Sequence, residues 1–238
     1  MATLDSLKWA LRQKATVMGS SSKQPLSDIQ NDAGFDILLR GPGWMTYQDF
    51  IVPQLLELLS PLFNSRINIS VLEIGPGPKS VLGYLPGRLR KKVRRYAAFE
   101  PNDLFATRVE KWLCSTSETE SPLPCLESPP DIHRIPFDPH GNVKSGTGMR
   151  DSDKKFDVIL FCHSMYGMKP KARFIEQALG MLVEHPEGGI VVFHHDGTLH
   201  LDGLVCHRTA SFPTGAVCVA NDDEALDSFA PFIAGFVI

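Results

Sequence analysis

Two acidic residues, Glu73 and Glu100, lie at the ends of two successive predicted strands, and a glycine-rich turn follows the first of them. Glu73-Ile74-Gly75-Pro76-Gly77 places the acid two residues before a Gly-x-Gly turn. Glycines allow the backbone to approach a ligand closely, and a helix after the turn would offer free N–H groups. A carboxylate at Glu100 can accept hydrogen bonds from both hydroxyls of a ribose. Together these features indicate an adenosine-type cofactor. The alternative is a tight strand–helix turn with an unrelated surface Glu100.

The residues around the turn favour S-adenosylmethionine (SAM) over a dinucleotide. A dinucleotide fingerprint has glycine at its sixth position, where this chain has Ser80. Dinucleotide enzymes also usually carry an apolar residue where Glu73 stands. A buried acid there suits a ligand with an ammonium group, such as the methionine part of SAM. An NAD-dependent oxidoreductase is therefore the weaker interpretation.

The pattern of apolar residues predicts a doubly wound α/β sheet that would position these groups. Alternation and continuous apolar runs predict strands over 67–74, 95–99, 156–162 and 190–193, with a short one near 132–137. Helical spacing predicts helices over 50–60, 81–89, 104–113 and 171–183. Pro61 is expected to end the first of these helices, and Pro86-Gly87 is expected to punctuate the second. The last two long strands are expected to be buried on both faces. The polar stretch 114–155 is expected to be mostly surface connection.

The composition favours a reduced, cytosolic globular protein. The chain has 238 residues, 43% of them hydrophobic, and a net charge of −3, which does not indicate nucleic acid or a membrane as partner. No apolar run is long enough to span a bilayer. The five cysteines do not form a disulfide or zinc pattern. The histidines and acid of 194–207 lack a metal-binding arrangement, so no metal is predicted.

Six of the eight residues over 88–95 are basic, which could indicate a phosphate or nucleic-acid patch. No interleaved aromatic residues support base stacking there. A solvated helix end before the second strand is therefore the preferred interpretation.

The order of these motifs resembles a class I SAM-dependent methyltransferase from about Tyr47 to the C-terminus. The residues that carry the resemblance are the E-x-G-x-G turn, the strand-end Glu100, "FDVILFCHSMYGM" and "GGIVVFHHDG". Within that superfamily the chain looks most like the histamine N-methyltransferase-like group, which has similar "EP", Tyr and "Phe-Pro" features.

The resemblance implies a SAM-binding site and a pocket for a small-molecule acceptor that is methylated at N or O. Glu73, Gly75, Gly77 and Pro78 would line the methionine part. Glu100, with its neighbours Pro101 and Asn102, would hold the ribose. Cys162 and His163 would lie beside the adenosine and sulfonium, with Met165 and Tyr166 facing the acceptor. If the acceptor must lose a proton, His163 is the preferred base, with His194 and His195 as alternatives.

Some residues depart from the resemblance. Lys79 replaces the third glycine of the usual turn, and Gly43 stands near the position of the acid that grips histamine in that group, so histamine is a poor candidate. Gly235–Ile238 suggests the opening of another strand, which predicts missing C-terminal strands. The likeness extends to the front part of fungal proteins that continue into an FAD-linked oxidoreductase.

The predicted organisation is an N-terminal segment, 1–49, followed by a SAM-binding domain over 50–238. The segment is expected to be partly flexible and to fold over the pocket as a lid, with Trp44 and Tyr47 touching the substrate. The alternative function is a non-catalytic or truncated SAM-fold domain within a larger multidomain protein.

Overall fold

The chain folds around a five-stranded parallel sheet. The computed structural model describes residues 27–40, 47–114, 121–138, 155–165, 168–184, 188–193, 210–212 and 215–217. The five strands are β1 (Ile69–Ile74), β2 (Val93–Phe99), β3 (Asp131–His133), β4 (Val158–Cys162) and β5 (Gly189–Phe193). Their order is β3-β2-β1-β4-β5, and every neighbouring pair is parallel. The predicted Rossmann-like doubly wound α/β fold is therefore confirmed.

Helices lie between β1 and β2, between β2 and β3, and between β4 and β5, as crossovers between parallel strands require. The α-helices around the sheet are α2 (Val52–Ser65), α3 (Gly87–Arg90), α4 (Asp103–Leu113) and α5 (Lys171–Gly180), and a 3₁₀ helix spans Val81–Tyr84. Before them come α1 (Asp28–Arg40) and a π-helical turn, Tyr47–Ile51. Two short antiparallel strands, β6 (Ala210–Phe212) and β7 (Gly215–Val217), pair only with each other among the described residues.

The chain divides into two compact units. One comprises residues 1–50 and 196–238, and its described elements are α1, most of the π-helical turn and the β6–β7 pair. The other comprises residues 51–195 and contains the five-stranded sheet with α2 to α5. The predicted lid and the predicted division at residue 49 stay predictions. The strand expected at Gly235–Ile238 lies outside the described residues.

Alternate residues of the central strands build a core on one face of the sheet. Because successive side chains of a strand point to opposite faces, Leu72 and Ile74 of β1 share this core with Ile159 and Phe161 of β4. Ala178 of α5 packs against the same cluster. The odd-numbered positions of β1, including Glu73, therefore belong to the other face.

The structure corrects three of the predicted elements. The helix expected over 81–89 is a four-residue 3₁₀ helix followed by the four-residue α3, because Pro86 between them cannot donate a helical hydrogen bond. Helix α2 continues through Pro61, which was expected to end it. Strand β5, expected to be buried, lies at one end of the described sheet, and its Val192 is exposed.

A buried carboxylate joins the beginnings of β1 and β4. Asp157 accepts hydrogen bonds from the Ser70 backbone N–H at 2.8 Å and from the Ser70 hydroxyl at 2.6 Å. Its other oxygen pairs with Arg66 at 2.6 Å. Asp157 is buried, whereas the Arg66 side chain keeps 36% of its surface exposed. The Ser70 contacts therefore form the buried part of this link.

Basic residues of the 88–95 run bind backbone carbonyls rather than only facing solvent. Lys92 donates to the carbonyls of Phe63 and Arg66 at the end of α2. Arg90 donates to the carbonyls of Ser121 and Pro122, Arg94 to that of Cys125, and Arg95 to that of Lys155. Four of the six basic side chains thus have a structural partner. The expected absence of a nucleic-acid partner stays a prediction.

No helix in the described part of the chain is both long enough and apolar enough to cross a membrane.

Candidate functional site

The candidate site lies at the carboxyl edge of the sheet, around the turn that follows β1. Strand β1 is flanked by β2 on one side and β4 on the other, so the strand order reverses at this point. In open α/β sheets, ligands bind in the crevice formed where the order reverses. Gly75 and Gly77 both have left-handed backbone conformations, with φ of 66° and 68°. Both positions therefore favour glycine for conformational reasons, and the predicted close approach of a ligand to them stays a prediction.

Gly75 also has no room for a side chain. A Cβ atom at this position would stand 2.6 Å from the Cβ of Ser164, which follows β4. The Gly75 N–H donates to the carbonyl of Phe99 at the end of β2, at 2.8 Å. The turn is thus held against the ends of both neighbouring strands.

Glu100 connects the glycine turn to the end of β2. Its Oε2 accepts a hydrogen bond from the Gly77 N–H at 2.9 Å, and its Oε1 accepts one from the Asn102 N–H at 3.0 Å. Glu100 is buried, with 5% of its surface exposed. The Glu100 carboxylate therefore holds the glycine turn against the residues that begin α4. Its contact with a ribose stays a prediction.

Glu73 lies in a buried polar cluster next to the turn. The Tyr96 hydroxyl donates to Oε2 of Glu73 at 2.8 Å, and the Val81 N–H donates to Oε1 at 3.3 Å. The Ser80 side chain is a further hydrogen-bonding partner of Glu73. Glu73 is only 1% exposed. Its carboxylate therefore fixes the segment that follows the turn, and a direct contact with a ligand ammonium group stays a prediction.

Burial raises the pKa of the Glu73 carboxyl above its ordinary value. Loss of hydration is the largest cause, and the negative charge of Glu100 adds to it. Hydrogen bonds from Ser80, Tyr96 and Val81 act in the opposite direction. Burial also raises the pKa of Tyr96, and the adjacent Glu73 carboxylate adds to that shift. Tyr96 is therefore a neutral donor at physiological pH.

The helix N-terminus that was expected to face a ligand is used within the chain. The Ser80 hydroxyl accepts a hydrogen bond from the Leu82 N–H at 3.2 Å, and Glu73 accepts the one from Val81. These two N–H groups begin the 3₁₀ helix. The prediction that free N–H groups follow the turn is therefore wrong for the Val81 and Leu82 N–H groups. Lys79, which replaces the third glycine, is exposed.

Asn102 begins α4 as its N-cap. Its side-chain oxygen accepts hydrogen bonds from the Leu104 and Phe105 N–H groups at 3.0 Å and 3.1 Å. Because its own N–H holds Glu100, Asn102 fixes both the helix and the carboxylate. Of the other predicted cofactor contacts, Pro78 is buried and Pro101 is exposed.

The end of β4 supplies the remaining described candidates. Cys162 is the last residue of β4 and is buried, and the backbone turns at His163 with a left-handed φ of 55°. The His163 N–H donates to the Phe193 carbonyl at 2.9 Å. Met165 packs in the core cluster with 3% of its surface exposed. The roles predicted for these residues are not tested by the structure.

Other predicted residues lie outside the part that can be described or in the other unit. Trp44, Tyr166, His194 and His195 are outside the described residues. Tyr47 is half-buried in the π-helical turn and belongs to the unit of residues 1–50. Its contact with substrate stays a prediction. Among the described residues, no group of three His, Cys, Asp or Glu side chains could hold a metal ion.

Sequence reasoning missed three residues around the turn: Tyr96, Ser80 as a partner of Glu73, and Ser164. A signal exists for Tyr96, because it belongs to the same sheet face as Glu73 on the adjacent strand. Ser80 could have been recognised as a cap before an apolar run. Ser164 carries no sequence signal, because its position depends on the left-handed turn at His163.

Comparison with known proteins finds similarity at the level of structure. Neither a protein-family model nor a curated protein matches the chain. Among solved structures, the chain is similar to YcgJ of Bacillus subtilis, with 10% identity, a TM-score of 0.38, and coverage of 58% of this chain and 50% of YcgJ. It is also similar to a SAM-dependent methyltransferase of Thiobacillus denitrificans in complex with S-adenosyl-L-homocysteine (SAH). That match has 18% identity, a TM-score of 0.35, and coverage of 57% of this chain and 47% of the other.

A third similar structure is the plantazolicin methyltransferase BpumL in complex with SAH. Its identity is 15% and its TM-score is 0.48, with coverage of 96% of this chain and 74% of BpumL. The chain spans about half the length of YcgJ and of the Thiobacillus protein.

Proposed function

We propose that this chain is a SAM-dependent methyltransferase that transfers a methyl group to N or O of a small molecule. The observation that supports this most directly is the position of Glu100. Its buried carboxylate reaches from the end of β2 to the Gly77 N–H, beside two glycines with left-handed backbones. In the proposed complex a ribose would lie beside the Glu100 carboxylate, and the ligand would approach the backbone of the glycine turn closely.

The residues of the chain would act mainly by positioning. Bound SAM would supply an electrophilic methyl group on a positively charged sulfur. Alignment of acceptor, methyl and sulfur can supply about 7–11 kcal/mol of the barrier. The left-handed turn at His163 places that residue directly after β4, at the same edge as Glu100. His163 is the proposed base for acceptors that must lose a proton.

Calorimetric titration with SAM, SAH and NAD tests the cofactor. We expect the two adenosyl ligands to bind and NAD not to bind. Glu100→Ala should weaken SAH binding about tenfold or more, because a charge-assisted hydrogen bond contributes about 1.5–3 kcal/mol. The matched control is Glu127→Ala, since Glu127 is exposed. Glu100→Gln keeps the side-chain shape, and its melting curve separates lost binding from lost folding.

Equal SAH affinity of wild type and Glu100→Ala would contradict the ribose assignment. A folded wild-type chain that binds no SAH would favour the alternative, a non-catalytic or incomplete SAM-fold domain. If SAH binds, formation of SAH from SAM in the presence of candidate amines, phenols and thiols tests turnover. His163→Asn suits the left-handed backbone and should lower turnover by a larger factor than it weakens SAH binding. Full turnover in that variant would remove His163 as the base.

A further inference from the structure

Glu73 is a buried carboxyl whose hydrogen-bond partners are all uncharged. They are the Tyr96 hydroxyl at 2.8 Å, the Val81 N–H at 3.3 Å and the Ser80 side chain. The residue is 1% exposed, and no basic side chain among the described residues pairs with it. An ionised carboxylate that is shielded from water is stabilised by a nearby positive charge. The described residues supply no such charge to Glu73.

A second buried carboxyl, that of Glu100, lies at the same edge of the sheet. Glu100 accepts the hydrogen bond of the Gly77 N–H, and Glu73 accepts that of the Val81 N–H. The two acids therefore hold two points of the same short segment. Glu100 is 5% exposed, so both carboxyls are largely removed from solvent.

The groups around the Glu73 carboxyl leave it sensitive to an added positive charge. Among the described residues, the titratable groups that act on it are Tyr96, a neutral donor, and Glu100, which is acidic. On the other neighbouring strand, β4, the apolar Leu160 pairs with Glu73, and Lys79 after the turn is exposed. Burial, with a smaller contribution from the Glu100 charge, raises the pKa of Glu73.

A ligand bound at the glycine turn would bring its own charge near Glu73. Glu73 precedes Gly75 by two residues, which corresponds to about 7 Å of extended chain. A charged atom at the turn would thus lie within roughly 10 Å of the carboxylate. Charges at that separation interact appreciably where water is excluded, and Glu73 is buried.

We propose that ionised Glu73 distinguishes SAM from SAH by charge, acting through space at the glycine turn. The inference rests on the proposed function, because that function places the ligand at the turn. SAM has a positively charged sulfur and SAH a neutral one, whereas both carry the same ammonium and carboxylate groups. Ionisation of Glu73 therefore increases the affinity for SAM more than the affinity for SAH. No direct contact between Glu73 and the ligand is required.

Calorimetric titration of the full chain with SAM and with SAH tests the inference. The titrations run from pH 4.5, the ordinary pKa of a glutamic acid, to about pH 7. In wild type the ratio of the SAH to the SAM dissociation constant should rise with pH by about three- to tenfold. In Glu73→Gln the ratio should be independent of pH. The matched control is Glu57→Gln, whose carboxyl is exposed on α2 and which should behave as wild type.

Tyr96→Phe is a second variant, which keeps the Glu73 carboxyl and removes its closest donor. The Tyr96 hydrogen bond lowers the pKa of Glu73, so its loss should raise that pKa further. The rise in the ratio of dissociation constants should then occur at higher pH than in wild type. This variant keeps the test decisive if Glu73→Gln does not fold, and melting curves of both variants establish that.

The other outcomes separate failure of the inference from failure of the proposed function. A folded wild-type chain that binds both ligands with a ratio independent of pH contradicts the inference and leaves the adenosyl site in place. A pH-dependent ratio that persists in Glu73→Gln, or one that does not move in Tyr96→Phe, assigns the effect to another group and also contradicts it. If the folded chain binds neither ligand, the proposed function fails as well.

Discussion

Glu73 illustrates how a single buried acid can hold a glycine turn and the segment after it in place. Its carboxylate accepts hydrogen bonds from the Tyr96 hydroxyl and the Val81 N–H. These contacts join β1 to β2 and to the segment after the turn. The pattern E-x-G-x-G therefore encodes both the left-handed backbone of two glycines and the internal support that keeps the turn in place.

The raised pKa of Glu73 predicts a specific dependence of stability on pH. With a folded-state pKa above 4.5, the folded protein binds more protons than the unfolded chain just above pH 4.5. The contribution of Glu73 to stability is thus fully present below about pH 4.5 and is lost as pH rises through the folded-state pKa. In Glu73→Gln this titration is removed, so the variant should gain stability relative to wild type as pH increases.

Urea unfolding of wild type and Glu73→Gln from pH 4.5 to pH 8 measures this difference. Glu57→Gln, on the exposed side of α2, is the control. Its free energy of unfolding relative to that of wild type should not increase as pH rises. A constant difference between Glu73→Gln and wild type across the range would show that burial does not raise the Glu73 pKa.

At the scale of elements, the strands are more predictable from sequence than their connections. The apolar runs at 69–74 and 158–162 are buried on both faces of the sheet, so their composition alone indicates strands. By contrast, Val81, Leu82, Leu85 and Leu89 have helical spacing but no continuous helix. Pro86 interrupts the helix after Leu85, and all four residues are still buried. Periodicity predicts which side chains are buried more reliably than it predicts the backbone between them.

The candidate site was predictable where it depends on residue type and not where it depends on tertiary placement. Glycine at 75 and 77 and an acid at 100 can be recognised from the sequence. The partners of Glu73 are given by pairing between strands, and the contact of Ser164 with Gly75 is given by a turn after a different strand. Neither kind of contact has a signature within a short window of sequence.

Close packing between the 3₁₀ helix and α4 leads to a prediction for Gly83. A Cβ at this position would stand 2.1 Å from Cη2 of Trp112 and 2.5 Å from its Cζ2. The rigid indole must move to admit a methyl group, so Gly83→Ala should cost about 1–3 kcal/mol. Thermal and urea unfolding measure the loss.

Gly180→Ala is the matched control for Gly83. A Cβ at Gly180 would have no atom within 4 Å, and Gly180 is the last residue of α5. Alanine there should be neutral or slightly stabilising. Trp112→Leu should reduce the cost of Gly83→Ala in a double-mutant cycle. If Gly83→Ala is as stable as Gly180→Ala, the contact with Trp112 is not close.

At the scale of the whole molecule, Asp157 connects parts of the chain that are far apart in sequence. Ser70 and Asp157 are 87 residues apart, and the Ser70 N–H and hydroxyl both donate to the same carboxylate oxygen of Asp157. Asp157→Ala leaves the Ser70 N–H and hydroxyl without this partner. We expect a loss of about 2–4 kcal/mol in the free energy of unfolding.

Arg66→Ala should have a much smaller effect than Asp157→Ala, although the two side chains form an ion pair. Arg66 keeps 36% of its side-chain surface exposed, so solvent screens the interaction and about 0–1 kcal/mol is expected. Chemical denaturation of both variants gives the comparison. Equal losses would assign the link to the ion pair and not to the contacts with Ser70.

The strand order also determines when the sheet can be completed during synthesis. Strand β1 is made before both of its neighbours, and Asp157, at the entry to β4, follows Ser70 by 87 residues. At about 5–20 residues per second, a ribosome needs roughly 4 to 17 seconds to cover that distance. Until then the edge of β1 that β4 covers has no native partner, and an apolar strand with an open edge can pair with another chain. During that interval this edge of β1 is an open site at which the nascent protein can associate with another chain.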